Sequence, residues 1–502
     1  MSMAAEHLET KLTLATLLQG IAAAPAVPIT GISSDSRRLS PGDVFLACQG
    51  STAHGLDFLE QAKAAGVAAV VWDTTTGKQV DSDLPMIPVA GLAGQIGEIA
   101  NRWFDSPSRT VNVTGVTGTN GKTTVAYLAR QAFSLLDRKC AYVGTLGSGI
   151  ELISGEGSMT TPACIELHGL LAGFRDQGAT HAAIEVSSHA LEQSRVAGVN
   201  FDSAIFTNLS RDHIDYHGSM QAYFRTKASL FLDHDIRHRI VSLDSEFGTE
   251  LADLCGQNVV TVSTHFDRPV NGRPHVFVRS VVASPSGSKI TIDSSWGSAG
   301  ISVPLPGDFN VANAAEVLAL LLCNEVSLND ACDTLEKVSA PPGRMELVNT
   351  QQDDGLPAVY VDYSHTPASI EAALKALRAH CRGKLWCVFG CGGDRDRGKR
   401  PMMGKVAERL SDHAIVTSDN PRSESPAKII ADILGGMADA AVAIDDRAAA
   451  IAHAVASAGP DDVVLIAGKG HENYQLIGAQ TLSFSDFEAA RESLLDRGAE
   501  RK

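Results

Sequence analysis

Five residues in GVTGTNGKTTVAYLARQAF could hold a phosphate: Gly115, Gly118, Gly121, Lys122 and Thr123 form Gly-x-x-Gly-x-x-Gly-Lys-Thr. Glycines let backbone N–H groups close on an anion, and a following helix adds the positive end of its dipole. A lysine here reaches β- and γ-phosphates, and the next hydroxyl ligates magnesium. The common spacing has its first glycine where Val116 stands. Gly-Lys-Thr between a strand and a helix nevertheless reads as a nucleotide site and not a structural turn. The residues expected on the nucleotide are Gly118, Thr119, Asn120, Gly121, Lys122, Thr123 and Thr124.

Other reactive groups sit in polar loops. Glu185 ends the apolar run HAAIE and precedes Ser187, Ser188 and His189. A carboxylate at a strand end can hold the magnesium of a nucleotide. LSRDHIDYHG gathers Asp212, His213, Asp215 and His217. It reads as the edge of a magnesium–phosphate site with His213 contributing, or as a solvated loop for Asp215 and His217. A metallohydrolase centre would want soft ligands or a second such cluster. GGDRDRGKR offers Arg395, Arg397, Lys399 and Arg400 as an anion site; the plain alternative is a solvated loop. SDNPR displays Asp419, Asn420, Pro421 and Arg422, and AGKGHE displays Gly468, Lys469, His471 and Glu472. Three polar loops after three strands suggest one pocket.

These loops need rigid elements behind them. Thr110–Val113 read as a strand end, and Val125, Leu128, Ala132 and Leu136 follow the helical period. Strands are expected before Glu185, before Asn208 and in HRIVSLD, giving the βαβ rhythm of a parallel sheet. VFVRSVVASPSGSKITID reads as an appended hairpin, and PGDFNVANAAEVLALLLC as a helix after a turn. Ser219 is placed to cap the helix carrying Lys227, and Ser425 with Pro426 to open another. The N-terminal segment mixes short strands and helices, with one helix over Leu92–Trp103. Pro341 and Pro342 mark a hinge. Beyond it AVYVDYS, LWCVFG, HAIVTSD and DVVLIAG alternate with helices as a doubly wound domain. GCGGDR is no dinucleotide fingerprint, because Arg395 occupies its last glycine position.

The 502 residues allow two to four domains, and the formal charge of −16 argues against nucleic acid as the main partner. Nine scattered cysteines without a CxxC argue for reduced thiols, a cytoplasmic chain and no zinc site. KLTLATLLQGIAAAPA looks like a secretory segment, but Glu6 and Glu9 precede it, and Leu14, Leu17, Leu18 and Ile21 fit an amphipathic helix. No run is long enough to insert in a membrane.

Taken together, TGTNGKTT, IEVSSHAL, NLSRDHIDYHG, YFRTKASLF, DFNVANAAE, PPGRME, VDYSHTP, CGGDRDRGKR, SDNPR and AGKGHE resemble the Mur ligase family over nearly the whole chain. The resemblance implies three α/β domains. A small UDP-substrate domain spans 1–90, a central ATP-binding phosphate-loop domain with a parallel sheet spans 91–341, and a C-terminal Rossmann-like domain for the amino acid spans 342–502. SDNPR is similar to the motif of members that add meso-2,6-diaminopimelate to UDP-N-acetylmuramoyl-L-alanyl-D-glutamate. By this resemblance Ser34, Ser36, Ser51, Thr52 and Ala53 lie on the uridine nucleotide. Thr160, Thr161, Ser187, Gln193 and Arg195 lie on the muramoyl-peptide. Arg395, Asp419, Asn420, Pro421, Arg422, Gly468 and Glu472 lie on the diaminopimelate. Met159 departs from the pattern, since relatives often have a polar residue there.

The implied chemistry is an ATP-dependent amide ligation in peptidoglycan precursor synthesis. The γ-phosphate passes to the D-glutamyl carboxylate, and an amine attacks the acyl phosphate. Lys122 and magnesium neutralise charge. Lys227 matches a lysine that the family carbamylates, so Thr123, Glu185, His213 and carbamylated Lys227 are expected on the metal. Asn310 and Asn313 are expected on the adenine side, and Arg344 and Asp362 on the rest of the ATP. A monomer is expected. Alternatives of the same chemistry are a lysine-adding member, another Mur ligase or a folylpolyglutamate-type ligase. A regulatory GTPase would want Asn-Lys-x-Asp, which the sequence lacks.

Overall fold

The computed structural model describes residues 12–50, 53–78, 81–155, 159–265, 271–284, 287–349, 355–438 and 442–500. The chain divides into two compact units: Met1–Lys122 with Asp137–Arg239, and Thr123–Leu136 with Ile240–Lys502.

The first unit opens on a parallel sheet of Gly31–Ser33, Asp43–Ala47, Ala69–Asp73 and Met86–Val89, in that order. Side chains alternate across a strand. Val44, Leu46 and Val71 therefore pack with Leu14, Leu17, Leu18 and the helix Leu92–Trp103, while Phe45, Ala47 and Val70 pack with Leu56, Leu59 and Ala62. Covering both faces explains why these strands read as unbroken apolar runs. Leu14, Leu17 and Leu18 are buried, as the amphipathic reading expects.

A second sheet in this unit runs Phe201–Phe206, Asn112–Thr117, His181–Glu185, Cys140–Gly144 and Gly147–Gly149. Its first four strands are parallel and the last is antiparallel. Asn112–Thr117 lies between strands that the chain reaches later, so the sheet grows in both directions from it. In open α/β sheets such a strand end is where ligands bind. The phosphate loop leaves this strand and enters the helix Lys122–Leu135.

The second unit takes up the strand His238–Ser242 at Ile240; this strand, Val260–Ser263 and His275–Ser284 pair in parallel, followed by antiparallel Gly287–Ser294 and Gly297–Val303. The expected hairpin is thus a three-stranded meander. The helix Asp308–Cys323 is buried on nearly every side, from Val311 to Leu322. The C-terminal sheet has the order Glu346–Leu347, Ala358–Asp362, Val463–Ala467, Leu385–Phe389, His413–Val416, Val442–Ala443. All its neighbours are parallel except the first pair. Leu385, Cys387, Phe389, Leu465 and Ala467 face one core, and Trp386, Val388, Val464 and Ile466 the other. Each fully buried aliphatic or aromatic side chain there contributes about 1.5–3 kcal/mol.

Candidate active site

The phosphate loop is shaped by its glycines. Gly118 has φ +151°, and a Cβ on it would lie 2.0 Å from Thr207 Oγ1. A side chain there would displace the loop from the neighbouring strand end. Asn120 N donates to Asn208 Oδ1 at 3.1 Å, and Thr119 N to Asn208 O at 2.9 Å. Lys122 Nζ turns back on the carbonyls of Gly118 and Thr119, each at 2.9 Å. Thr123 and Thr124 are the second and third residues of the following helix.

Glu185 is completely buried at the end of its strand. Oε1 accepts from Tyr142 Oη and from Thr145 N at 2.9 Å, and Oε2 accepts from Thr145 Oγ1 at 3.1 Å. A Cβ on Gly144 would meet Oε1 at 2.2 Å, so this approach needs glycine. Lys227, also buried, sits on the helix Met220–Leu232, which Ser219 caps as expected. Its Nζ donates to Gly118 O at 2.9 Å and lies 4.7 Å from the centre of the Tyr223 ring. Burial, reinforced by the Lys122 ammonium, holds Lys227 well below the usual lysine range. A neutral amine is the form that reacts with carbon dioxide to give a carbamate. The oxygen donors Glu185 and a Lys227 carbamate suit magnesium. Among the described residues no three His, Cys, Asp or Glu side chains gather as a metal site.

His213 has a left-handed backbone, φ 52°, and its N–H donates to Asp212 Oδ1 at 2.9 Å. Its ring lies edge-on to His189 at 4.9 Å, and His189 faces Tyr216 at 4.2 Å. His217 contacts Ser188 Oγ at 3.0 Å. Burial leads in holding His189 and His217 below the usual histidine range. Asp215 and His217 belong to the one-turn helix Ile214–His217.

The expected peptide-binding residues form one chain of contacts. Arg195 Nη1 donates to Thr161 O at 3.0 Å, and its Nε to Gln193 Oε1 at 3.0 Å. Thr161 Oγ1 donates to Glu185 O at 2.7 Å and accepts from Ser187 N at 3.1 Å. Thr160 is tied to Thr145 at 3.4 Å. In the N-terminal sheet Ser34 is exposed and Ser36 Oγ donates to Gln61 Oε1 at 2.9 Å. Ala53 is half-buried, while Ser51 and Thr52 lie outside the described residues.

The second unit brings three strand-end loops together. Asn420 Nδ2 donates to Glu472 Oε2 at 2.8 Å, and Gln475 Nε2 to Asp419 O at 2.7 Å. Gly468 has φ +126°, and a Cβ there would lie 2.4 Å from Asp419 Oδ2. Pro421 is buried. Arg422 has φ 52°; its N–H donates to Leu476 O at 3.0 Å and its Nη1 to Gly393 O at 2.8 Å. Behind them Arg447 and Asp486 form a wholly buried two-bond pair, both bonds 2.7 Å. Arg447 also donates to Ser418 O at 3.1 Å and Ala467 O at 3.0 Å, pinning the ends of two strands.

The basic loop is corrected in part. Arg400 is buried between Glu424 and Asp432, each at 2.8 Å, and Arg397 also pairs with Glu424. Lys399 Nζ donates to His365 O at 2.9 Å. These three side chains hold the loop and are not an open anion site. Arg395 is exposed and makes no hydrogen bond or ion pair among the described residues. Ser425 stands at the expected helix start but its side chain makes no capping bond.

Arg344 and Asp362 lie near this pocket. Arg344 stacks on Tyr363 at 4.7 Å, and Asp362 Oδ2 accepts from Met345 N at 2.8 Å. Asn310 and Asn313 are buried and bonded to each other at 3.1 Å, with Asn310 Nδ2 on Pro306 O at 2.8 Å. Tyr142, Thr145 and Tyr223 were not expected at the site. Tyr142 and Thr145 flank another strand end, and Tyr223 lies one helical turn before Lys227, so the signal was positional.

Residues 28–103 match the catalytic domain of the Mur ligase family, 116–321 the Mur ligase middle domain and 343–470 the Mur ligase glutamate ligase domain. The UDP-N-acetylmuramoyl-L-alanyl-D-glutamate--2,6-diaminopimelate ligase of Chromobacterium violaceum is 44% identical over 473 residues, covering 93% of this chain and 94% of that protein. The Pseudomonas putida protein of the same name is 43% identical over 476 residues, covering 93% and 95%. A solved structure of a ligase of that name has 34% identity and TM-score 0.72, covering 95% of this chain and 96% of that one. The Thermotoga maritima MurF ligase in complex with ADP shares the fold, with TM-score 0.60 at 16% identity over 94% and 98% of the two chains. The three matched stretches account for a three-domain α/β architecture. The chain belongs to the Mur ligase family.

Proposed function

We propose that the chain joins meso-2,6-diaminopimelate to the D-glutamyl carboxylate of UDP-N-acetylmuramoyl-L-alanyl-D-glutamate, at the expense of ATP. The observation that carries this reading is the convergence of Asp419, Asn420, Arg422, Gly468 and Glu472. Asp419 is buried, and its carboxylate accepts no hydrogen bond among the described residues. It is therefore open to an ammonium group. Arg422 supplies a planar donor for a carboxylate. A diamino diacid offers both groups at each end. Arg395 extends the pocket's positive side.

The phosphate loop from Gly118 to Thr124 binds ATP, with Lys122 on its outer phosphates. Asn310 and Asn313 serve the adenine side, and Arg344 and Asp362 the remaining ATP contacts. Glu185, His213 and the Lys227 carbamate, with the Thr123 hydroxyl that its motif provides, hold magnesium. The metal, when bound, offsets phosphate charge. The uridine end is taken by Ser34, Ser36, Ser51, Thr52 and Ala53, and the peptide by Thr160, Thr161, Ser187, Gln193 and Arg195. The glutamyl carboxylate oxygen attacks the γ-phosphorus and ADP leaves. The diaminopimelate amine then forms the amide bond, losing a proton as inorganic phosphate departs. The domains span 1–90, 91–341 and 342–502. The proposed unit is a monomer, and the residues named here all belong to one chain. The free state of all nine cysteines supports a cytoplasmic location. Among the described residues no helix is long and apolar enough to cross a membrane.

The test is ADP formation with the UDP-dipeptide against a panel of amino acids. Turnover is expected with meso-diaminopimelate. Turnover without any amino acid, or equal turnover with lysine, would overturn the reading.

A further inference from the structure

Lys469 is a lysine with no exposed surface, one residue beyond Gly468. Its Nζ donates to Asn420 Oδ1 at 3.1 Å and to Glu472 Oε2 at 3.3 Å, and lies 5.6 Å from the Tyr474 ring centre. Removing an ammonium from water is costly unless charged or polar partners replace the water. The fold therefore retains this cation for what it touches.

Its first effect is on Asn420. The amide oxygen receives two donors, Lys469 Nζ and Leu476 N at 3.0 Å. A flipped amide would set its NH₂ against both. The NH₂ group must face Glu472, where it donates to Oε2 at 2.8 Å. Glu472 Oε2 thus takes two donors, while Oε1 receives no hydrogen bond among the described residues. The carboxylate is fixed by one oxygen and presents the other.

The second effect is on charge. Arg447 and Asp486 neutralise each other. Asp419 and Glu472 face three cations, Arg395, Arg422 and Lys469. Meso-diaminopimelate carries two ammonium and two carboxylate groups and is neutral overall, whereas lysine carries a net positive charge. A pocket with a surplus positive charge disfavours the second. Without Lys469 that surplus is lost and the discrimination against the second weakens.

We propose that Lys469 is a positioning and specificity-determining residue, which orients Glu472 through Asn420 and supplies the positive charge that favours a neutral diamino diacid over a cationic amino acid. The inference rests on the reading of this pocket as the amino-acid site.

The test is Lys469→Met in the full chain, assayed with meso-diaminopimelate and with lysine. Loss of one charged hydrogen-bond set corresponds to about tenfold or more. The KM for diaminopimelate is expected to rise by at least about tenfold, with those for ATP and the UDP-dipeptide within about twofold. The preference for diaminopimelate over lysine is expected to fall by a similar factor. A folded variant with unchanged diaminopimelate KM and unchanged preference overturns the proposal. So does an equal fall in kcat with both amino acids and no KM change, which marks a purely structural role. If Lys469→Met does not melt cooperatively, Lys469→Gln, which keeps a donor and removes the charge, decides. A diaminopimelate KM raised about tenfold supports the proposal, and an unchanged KM overturns it. Arg422→Ala separates the two readings. If it raises the diaminopimelate KM while folded Lys469→Met does not, only the role of Lys469 falls. If neither changes it, the pocket itself is misassigned.

Discussion

Lys227 Nζ donates to the carbonyl of Gly118 at 2.9 Å, so the buried lysine and the phosphate loop share a hydrogen bond. The lysine stands on one helix and the glycine follows the central strand. Tyr223 reinforces the link, with its hydroxyl 3.3 Å from Thr119 Oγ1 and its ring beside the Lys227 ammonium. A change at Lys227 is therefore felt where ATP is expected.

Lys227→Ala is expected to lose nearly all ligase activity and to recover part of it with added short-chain carboxylates, which would stand in for the proposed carbamate. Lys227→Arg keeps a charge but cannot be carbamylated, and is expected to stay inactive with the same additives. Full activity of Lys227→Ala without additive contradicts the carbamate role.

Lys122→Ala is expected to abolish ADP formation while leaving the UDP-dipeptide affinity within about threefold, since the proposed role of the lysine is on charge developing at phosphate. Titration calorimetry with the UDP-dipeptide, alongside the ADP assay, checks this. Parallel loss of both signals would point to misfolding.

Much of this arrangement was legible in the sequence. The phosphate loop, the Glu185 strand end and the helix of Lys227 follow from glycine spacing, apolar runs and a serine cap. What escaped has physical causes. The strand Gly297–Val303 is GSAGISV, too small and polar to show alternation, and is held by pairing with Gly287–Ser294. The hairpin Tyr474–Ile477 with Gln480–Ser483 has a wholly exposed second strand. Arg400 looked like an anion ligand because its partners Glu424 and Asp432 are distant in sequence.

Gly343 has φ +65°, and a Cβ on it would lie 2.0 Å from His471 N and 2.2 Å from Gly470 C. Backbone cannot yield as a side chain can, so Gly343→Ala must separate the Pro-Gly-Arg turn from the Gly-Lys-Gly-His loop. The expected cost is about 1–3 kcal/mol or more of stability. Urea denaturation checks it; an unchanged midpoint contradicts the close packing.

Burial, with Arg344 adding to it, holds His471 down to about 4. Between that value and the ordinary histidine value of about 6.5, the unfolded chain binds the proton that the folded chain refuses. Stability is therefore complete above about 6.5 and falls as the pH drops toward 4, by an amount on the order of 3 kcal/mol. His471→Gln is expected to lose less stability over that window than the native protein. Identical pH dependence of the two in urea titrations contradicts the assignment.

Arg422 is expected to read the distal carboxylate of meso-diaminopimelate. A guanidinium makes two parallel bonds to a carboxylate that lysine lacks, each contributing about 1.5–3 kcal/mol before burial costs. The measurement is kcat/KM for diaminopimelate and for lysine, in the native protein and in Arg422→Ala. The account predicts at least about a tenfold loss for diaminopimelate, mainly in KM, with the gap to lysine narrowed. An unchanged ratio of the two constants after the substitution would contradict it.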